Sequence, residues 1–169
     1  LTLDGTTYKT DGTTIYEADS GDTILITGAN VSITTADDNL TFDGGNIVLS
    51  TGGTTTISTG TAGGALQIDG TINGTSSQTE NLTITTGTGS ATIAGTIGGT
   101  NPLTTLSINA SGNGAIDLAG IGDTNTVGTT GSGAATIGNT STTTLTLSGS
   151  FYRTDGSPVS YTHLTLPTK

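Results

Sequence analysis

The chain has 169 residues with 28 Gly, no Cys, no Met, no Trp and only 4% aromatic residues, so a thick globular core is excluded. Without Cys there is no disulfide, thiol nucleophile or thiolate metal site. A formal net charge of −10, from 13 acids against 3 bases, repels nucleic acid and anionic lipid and makes both poor partners.

The predicted elements are short strands separated by Gly, Asn or Asp. Leu1-Thr2-Leu3 alternates and Asp4-Gly5 turns; Tyr8 to Gly12 then leads to Thr14-Ile15-Tyr16. Ser20-Gly21-Asp22 opens a strand over 23–27, Gly28-Ala29-Asn30 one over 31–34, and Asp37-Asp38-Asn39 one over 40–42. Further strands follow over 47–50, 54–58 and 65–68.

The centre of the chain repeats itself. Ile68-Asp69-Gly70-Thr71-Ile72-Asn73-Gly74-Thr75 returns as Ile93-Ala94-Gly95-Thr96-Ile97-Gly98-Gly99-Thr100, and after an equal step, in degraded form, as Leu118-Ala119-Gly120-Ile121-Gly122. Between these lie Leu82-Thr83-Ile84 and, after a step one position shorter, Leu106-Ser107-Ile108. Strands at 134–137 and 143–147 complete the series, with Pro102 placed at a corner where its missing N–H does no harm. No window carries the i, i+3, i+4, i+7 pattern for ten residues, so no helix is expected.

A fixed period in the twenties predicts a stacked solenoid. One coil buries too few aliphatic side chains to offset the conformational entropy of ordering it, so each needs neighbours above and below. Disorder is the reading that competes for so biased a composition; the recurrent apolar–polar alternation argues against it. The fold expected is an all-β, right-handed parallel β-helix (solenoid) of six or seven coils of about 24 residues, with a β-sandwich as the alternative. The expected inward row is Ile24, Ile26, Leu40, Phe42, Ile47, Leu49, Leu66, Ile68, Leu82, Ile84, Leu106, Ile108, Ile116, Leu118, Leu145 and Leu147.

A longer repeat is superimposed. Residues 1–13 align with 145–157 at eight of 13 positions, an offset of 144 that fits six coils of about 24 residues. Residues 1–157 therefore read as a solenoid region holding one module of that length and the start of the next. The chain opens on Leu rather than Met and reads as an internal fragment.

Asp69 to Thr75, Asn81 to Gly89 and Ile93 to Thr100 resemble the β-strand repeat regions of large bacterial exported proteins of the filamentous haemagglutinin and autotransporter-adhesin type. The resemblance covers most of residues 1–157 and is compositional. It implies a right-handed β-helix in a long filament, extracellular or on the bacterial cell surface. Attachment to host or surface glycans or proteins then belongs to the full-length protein. Within the segment the expected partners are neighbouring repeats of the same chain, without membrane insertion. Residues 159–168 resemble instead a translated sequencing adapter, so 158–169 read as a non-native tail and His163 is no functional candidate.

The residues support no assignment of a catalytic, cofactor-binding or metal site. A glycan-cleaving β-helix needs paired carboxylates with a base nearby, whereas Asp69 and Asp117 are isolated and Lys9 and Arg153 are the only bases outside the tail. The two Tyr-basic-Thr-Asp-Gly copies, from Tyr8 and from Tyr152, read as a repeated turn whose Tyr covers the coil edge rather than as a glycan contact. Asp117 falls one position late for the calcium-binding nonapeptide over 112–118, and Asp37, Asp38 and Asp43 read as a solvated group with weak cation affinity at most. Ice binding would use aligned Thr pairs such as Thr54/Thr56, Thr83/Thr85 and Thr142/Thr144/Thr146. The ladder looks irregular, because Ser107 follows Thr83 and Gly120 or Ile121 follows Thr71 and Thr96. The function expected is a non-catalytic stalk or passenger segment of a surface-exposed or secreted adhesin.

Overall fold

A computed structural model describes residues 1–130 and 135–155. Sixteen strands lie among them. The first coil holds β1 (Thr2–Leu3), β2 (Thr7–Thr10) and β3 (Thr14–Glu17); the second, β4 (Thr23–Ile26), β5 (Ser32–Thr35) and β6 (Leu40–Asp43). The third holds β7 (Asn46–Leu49), β8 (Thr54–Ser58) and β9 (Leu66–Ile68), and the fourth β10 (Ile72–Asn73), β11 (Asn81–Thr86) and β12 (Ala91–Ile93). In the fifth lie β13 (Thr105–Ala110) and β14 (Ala115–Leu118), in the sixth β15 (Ala135–Ile137) and β16 (Thr144–Leu147). No helix occurs among the described residues.

Each strand pairs in parallel with its counterpart one coil away, because the chain returns to the same face only after a full circuit. Three sheets result. Sheet A runs β1-β4-β7-β10 and continues through single bridges from Ile72 to Ile97, Ile121 and Tyr152. Sheet B runs β2-β5-β8-β11-β13-β15, and sheet C β3-β6-β9-β12-β14-β16. All pairings among the described strands are parallel, which sets aside the antiparallel β-sandwich.

The interior is a set of axial columns. Ile93 pairs with Ile68 below and Leu118 above, and Ile84 sits between Ile57 and Ile108. Of the expected inward row all are buried except Leu147, half-buried on the last strand of sheet C. Val31, Ile33, Ile57, Ile72, Ile97, Leu103, Ile121 and Ile137 join them. Thr also lines this thin core: Thr35 Oγ1 donates to Asp38 O at 2.5 Å and Thr59 Oγ1 to Gly64 O at 2.6 Å, so each hydroxyl closes its own corner.

The repeated Gly and Asn hold neighbouring coils together as well as making turns. A Cβ on Gly95 would run into Gly70 O, and one on Gly70 into Gly45 O; Gly64, Gly89 and Gly114 form a second such column. Backbone packs on backbone at these corners, which leaves no room for a side chain. Elsewhere an Asn carbonyl reaches up one coil to accept from its backbone N–H groups. Asn30 takes Thr54 N, Asn39 takes Ala65 N, Asn46 takes Thr71 N, and Asn73 takes Thr100 N and Asn101 N. Gly95→Ala is expected to cost about 1–3 kcal/mol, the penalty of overpacking, because only main chain stands in the way. Gly99→Ala meets a Thr96 side chain at 3.2 Å and should be much milder; urea midpoints of the two variants check this.

Coil length is not constant. The ladder on sheet A steps from Thr2 to Leu25 at its start and from Ile121 to Tyr152 at its end, and the last step is the longest. The growth sits in the corner between sheets A and B, where Leu103 bridges Thr129 and a fourth, narrow wall begins. Averaged along the whole of sheet A a coil takes about 25 residues, close to the expected period and slightly above it. The long repeat is therefore shorter than six coils. Its first copy starts on sheet A as β1, whereas its second arrives on sheet C as β16, contrary to the six-coil fit. The tail over 158–169, with His163, lies outside the described residues.

Candidate functional site

Strand alternation decides what sheet B shows to solvent. In β11 and β13 Leu82, Ile84, Leu106 and Ile108 point inward, so Thr83, Thr85, Ser107 and Asn109 point outward. Register then aligns them axially: Thr7, Ser32, Thr56, Thr83, Ser107 and Thr136 form one row. A second row holds Lys9, Thr34, Ser58, Thr85 and Asn109. Rungs stand about 4.8 Å apart and the rows roughly 6.6 Å apart, giving a lattice of hydroxyls in which the first row is uncharged and the second carries one amide and, at its end, one ammonium. The sequence hid the first row because its steps are unequal: Thr56 to Thr83 is longer than Ser32 to Thr56, and Ser107 to Thr136 is longer again. Thr142, Thr144 and Thr146 do not belong to it: Thr142 is buried with its hydroxyl on Ala110 O, and the others face out from sheet C.

The acids separate into unrelated roles. Asp37 occupies the corner between sheets B and C at φ 67°, and its Oδ1 accepts from Thr61 N at 2.6 Å and Ala62 N at 2.7 Å in the next coil. Asp43 lies at the far end of β6, so Asp37, Asp38 and Asp43 do not form the single solvated group expected. Asp43 instead pairs in register with Glu17, and Asp69 follows one rung on. Among the described residues no group of three or more His, Cys, Asp or Glu is arranged to hold a metal ion.

Asp117 points outward between buried Ile116 and Leu118 and accepts from Ser148 Oγ at 2.9 Å. Asp69 accepts from the Gln67 amide of the strand that precedes it. Lys9 stands exposed on sheet B, and Arg153 donates to Asp123 O at 2.7 Å and Thr124 O at 2.5 Å. Asn125 N and Thr126 N hold the Asp123 carboxyl below its ordinary range, with Arg153 adding to the effect.

Both Tyr copies make the same turn. Tyr8 OH accepts from Gly5 N at 2.6 Å; Tyr152 OH accepts from Gly149 N at 2.9 Å and donates to Leu118 O at 2.6 Å. Tyr8 packs edge-on against Tyr16 at 6.4 Å, and Tyr16 stacks on Phe42 at 5.3 Å, so the rings cover the first coil. Burial, with Tyr8 beside it, pushes the Tyr16 hydroxyl up, and burial does the same for Tyr152, so both are neutral at ordinary pH. The motif is a corner that keeps its local shape on whichever sheet it arrives.

These faces and registers define an all-β parallel β-solenoid with coils of about 25 residues. No family model, curated protein or solved structure matches the chain.

Proposed function

We propose that this segment is a non-catalytic stalk of a bacterial surface-exposed or secreted adhesin, a spacer in a longer filament whose attachment to host or surface glycans or proteins is carried elsewhere. The observation that supports it is the unbroken axial ladder. Two six-stranded sheets run from the first coil to the sixth, and corners are stapled coil to coil by Asn and Asp. Such a rod transmits length and stiffness at about 4.8 Å per coil, whatever its outward residues. The test is a glycan array probed with residues 1–157. Background binding is expected, and saturable binding to any glycan would move the reading to a glycan-recognising β-helix.

The hydroxyl lattice on sheet B supports a second reading, ice binding. A row of six Thr or Ser in register presents repeating hydroxyls on one face, as an ordered water lattice requires. Thermal hysteresis abolished by Thr83→Lys would carry it; an unaltered freezing point for the wild type would end it.

A further inference from the structure

Glu80 is the one charged residue between Asp69 and Asp117, and it is buried, 1% exposed, in the middle of the rod. A lone carboxylate there carries a large desolvation cost unless it is saturated with donors. It is. Thr75 N and Thr79 N each donate to Oε2 at 3.1 Å, and the Thr75 and Thr79 hydroxyls donate to Oε1 at 2.6 and 3.4 Å. The corner wraps around the carboxylate: Gln78 takes φ 55° and closes a turn onto Thr75 O at 3.1 Å. The same corner is fixed to its neighbours, since Asn81 N donates to Gly53 O below and Thr104 N to Glu80 O above.

Among the described residues no cation compensates it. The neighbouring corners, residues 50–53 and 98–104, contain no charged residue, and the next charges up the stack, Asp123 and Arg153, belong to the corner beyond. Hydrogen bonding is thus what holds the charge, and all four donors need an ionised acceptor to converge on two oxygens.

We propose that Glu80 is an acid-operated latch, which when ionised holds the corner 74–80 shut between the coils on either side and when protonated releases that corner while the three sheets stay paired. Burial alone raises the carboxyl, but the bonds from Thr75 and Thr79 override it and leave it below the ordinary glutamate range. The folded value is therefore depressed. The latch's contribution is complete above the unfolded glutamate value and is lost as pH falls through the folded one. The opened segment, Thr75-Ser76-Ser77-Gln78-Thr79, is polar and uncharged and becomes accessible to protease or to a partner only in acid.

Amide exchange measured across a pH series on residues 1–157, corrected for intrinsic rates, tests the latch. Protection at Thr75 and Thr79 is expected to fall at least tenfold in a single-proton step below the ordinary glutamate value, while Leu82, Ile84 and Ile108 keep theirs. Glu80→Gln, which cannot ionise, should show the low protection at all pH. Flat wild-type protection at Thr75 and Thr79, a step that survives in Glu80→Gln, or simultaneous loss at Ile84 and Ile108 would each overturn it. The wild-type profile decides even if the variant fails to fold.

Discussion

Ile84→Asp is expected to abolish cooperative folding at neutral pH, whereas Thr83→Asp, one residue away, is expected to leave the urea midpoint nearly unchanged. Ile84 is fully buried between Ile57 and Ile108 in a column of aliphatic residues. Asp placed there meets no donor set like that around Glu80. An unpaired buried carboxylate costs several kcal/mol, comparable with the roughly 5–15 kcal/mol stability of a whole domain. Losing the isoleucine adds about 2–5 kcal/mol of transfer and cavity terms. In a stack where each coil rests on the next, a failure at the fourth coil leaves the first three at the bare minimum of roughly three that a solenoid needs and the last two below it, so the single cooperative transition of the whole rod is lost. Thr83 faces solvent in a neutral row, so an added charge there falls within about 0.5 kcal/mol. Far-UV circular dichroism with urea titration of both variants separates the outcomes; equal midpoints would mean that strand alternation does not set the interior.

What could be read from the amino acids was the alternation, because it depends only on neighbours two apart. Leu82-Thr83-Ile84 and Leu106-Ser107-Ile108 declare inside and outside within one strand, and their spacing in the chain is also their true register. The even recurrence of Gly70 and Gly95 was visible too, but only as a turn signal. That each packs on main chain one level down is a fact of three dimensions. Corner lengths were not legible. The stretches between sheets A and B lengthen towards the last coil with little apolar pattern, and each insertion shifts every later register. The displaced β16 and the hidden hydroxyl row on sheet B both follow from that. Glu80 gave no local signal, since an acid in a Ser/Thr-rich corner reads as solvated until the corner is folded around it.

Register also predicts which deletion the rod survives. Removing Asn81 to Thr104 joins Glu80 to Thr105, the register partner of Asn81, so one whole coil leaves and β13 settles on β8. Leu106 then covers Thr55 and Ile108 covers Ile57; on sheet C Ile116 lands over Leu66 and Leu118 over Ile68, and Ile121 meets Ile72. The bridge from Leu103 to Thr129 and the bond from Thr104 to Glu80 are forfeited. Five coils remain, above the roughly three that a solenoid needs, and stability drops by one coil and one interface. The expected result is an unchanged β signal per residue, a lower but still cooperative urea midpoint, and a rod shorter by about 4.8 Å in solution scattering. Removing Asn81 to Thr92 instead sends Ile93, a sheet C residue, into the sheet B position and breaks every register beyond it. That shorter deletion should leave the chain without a cooperative transition, although it discards only half of what the whole-coil deletion removes. Were the half-coil deletion to fold as well as the whole-coil one, coil-by-coil register would not be what holds this chain together.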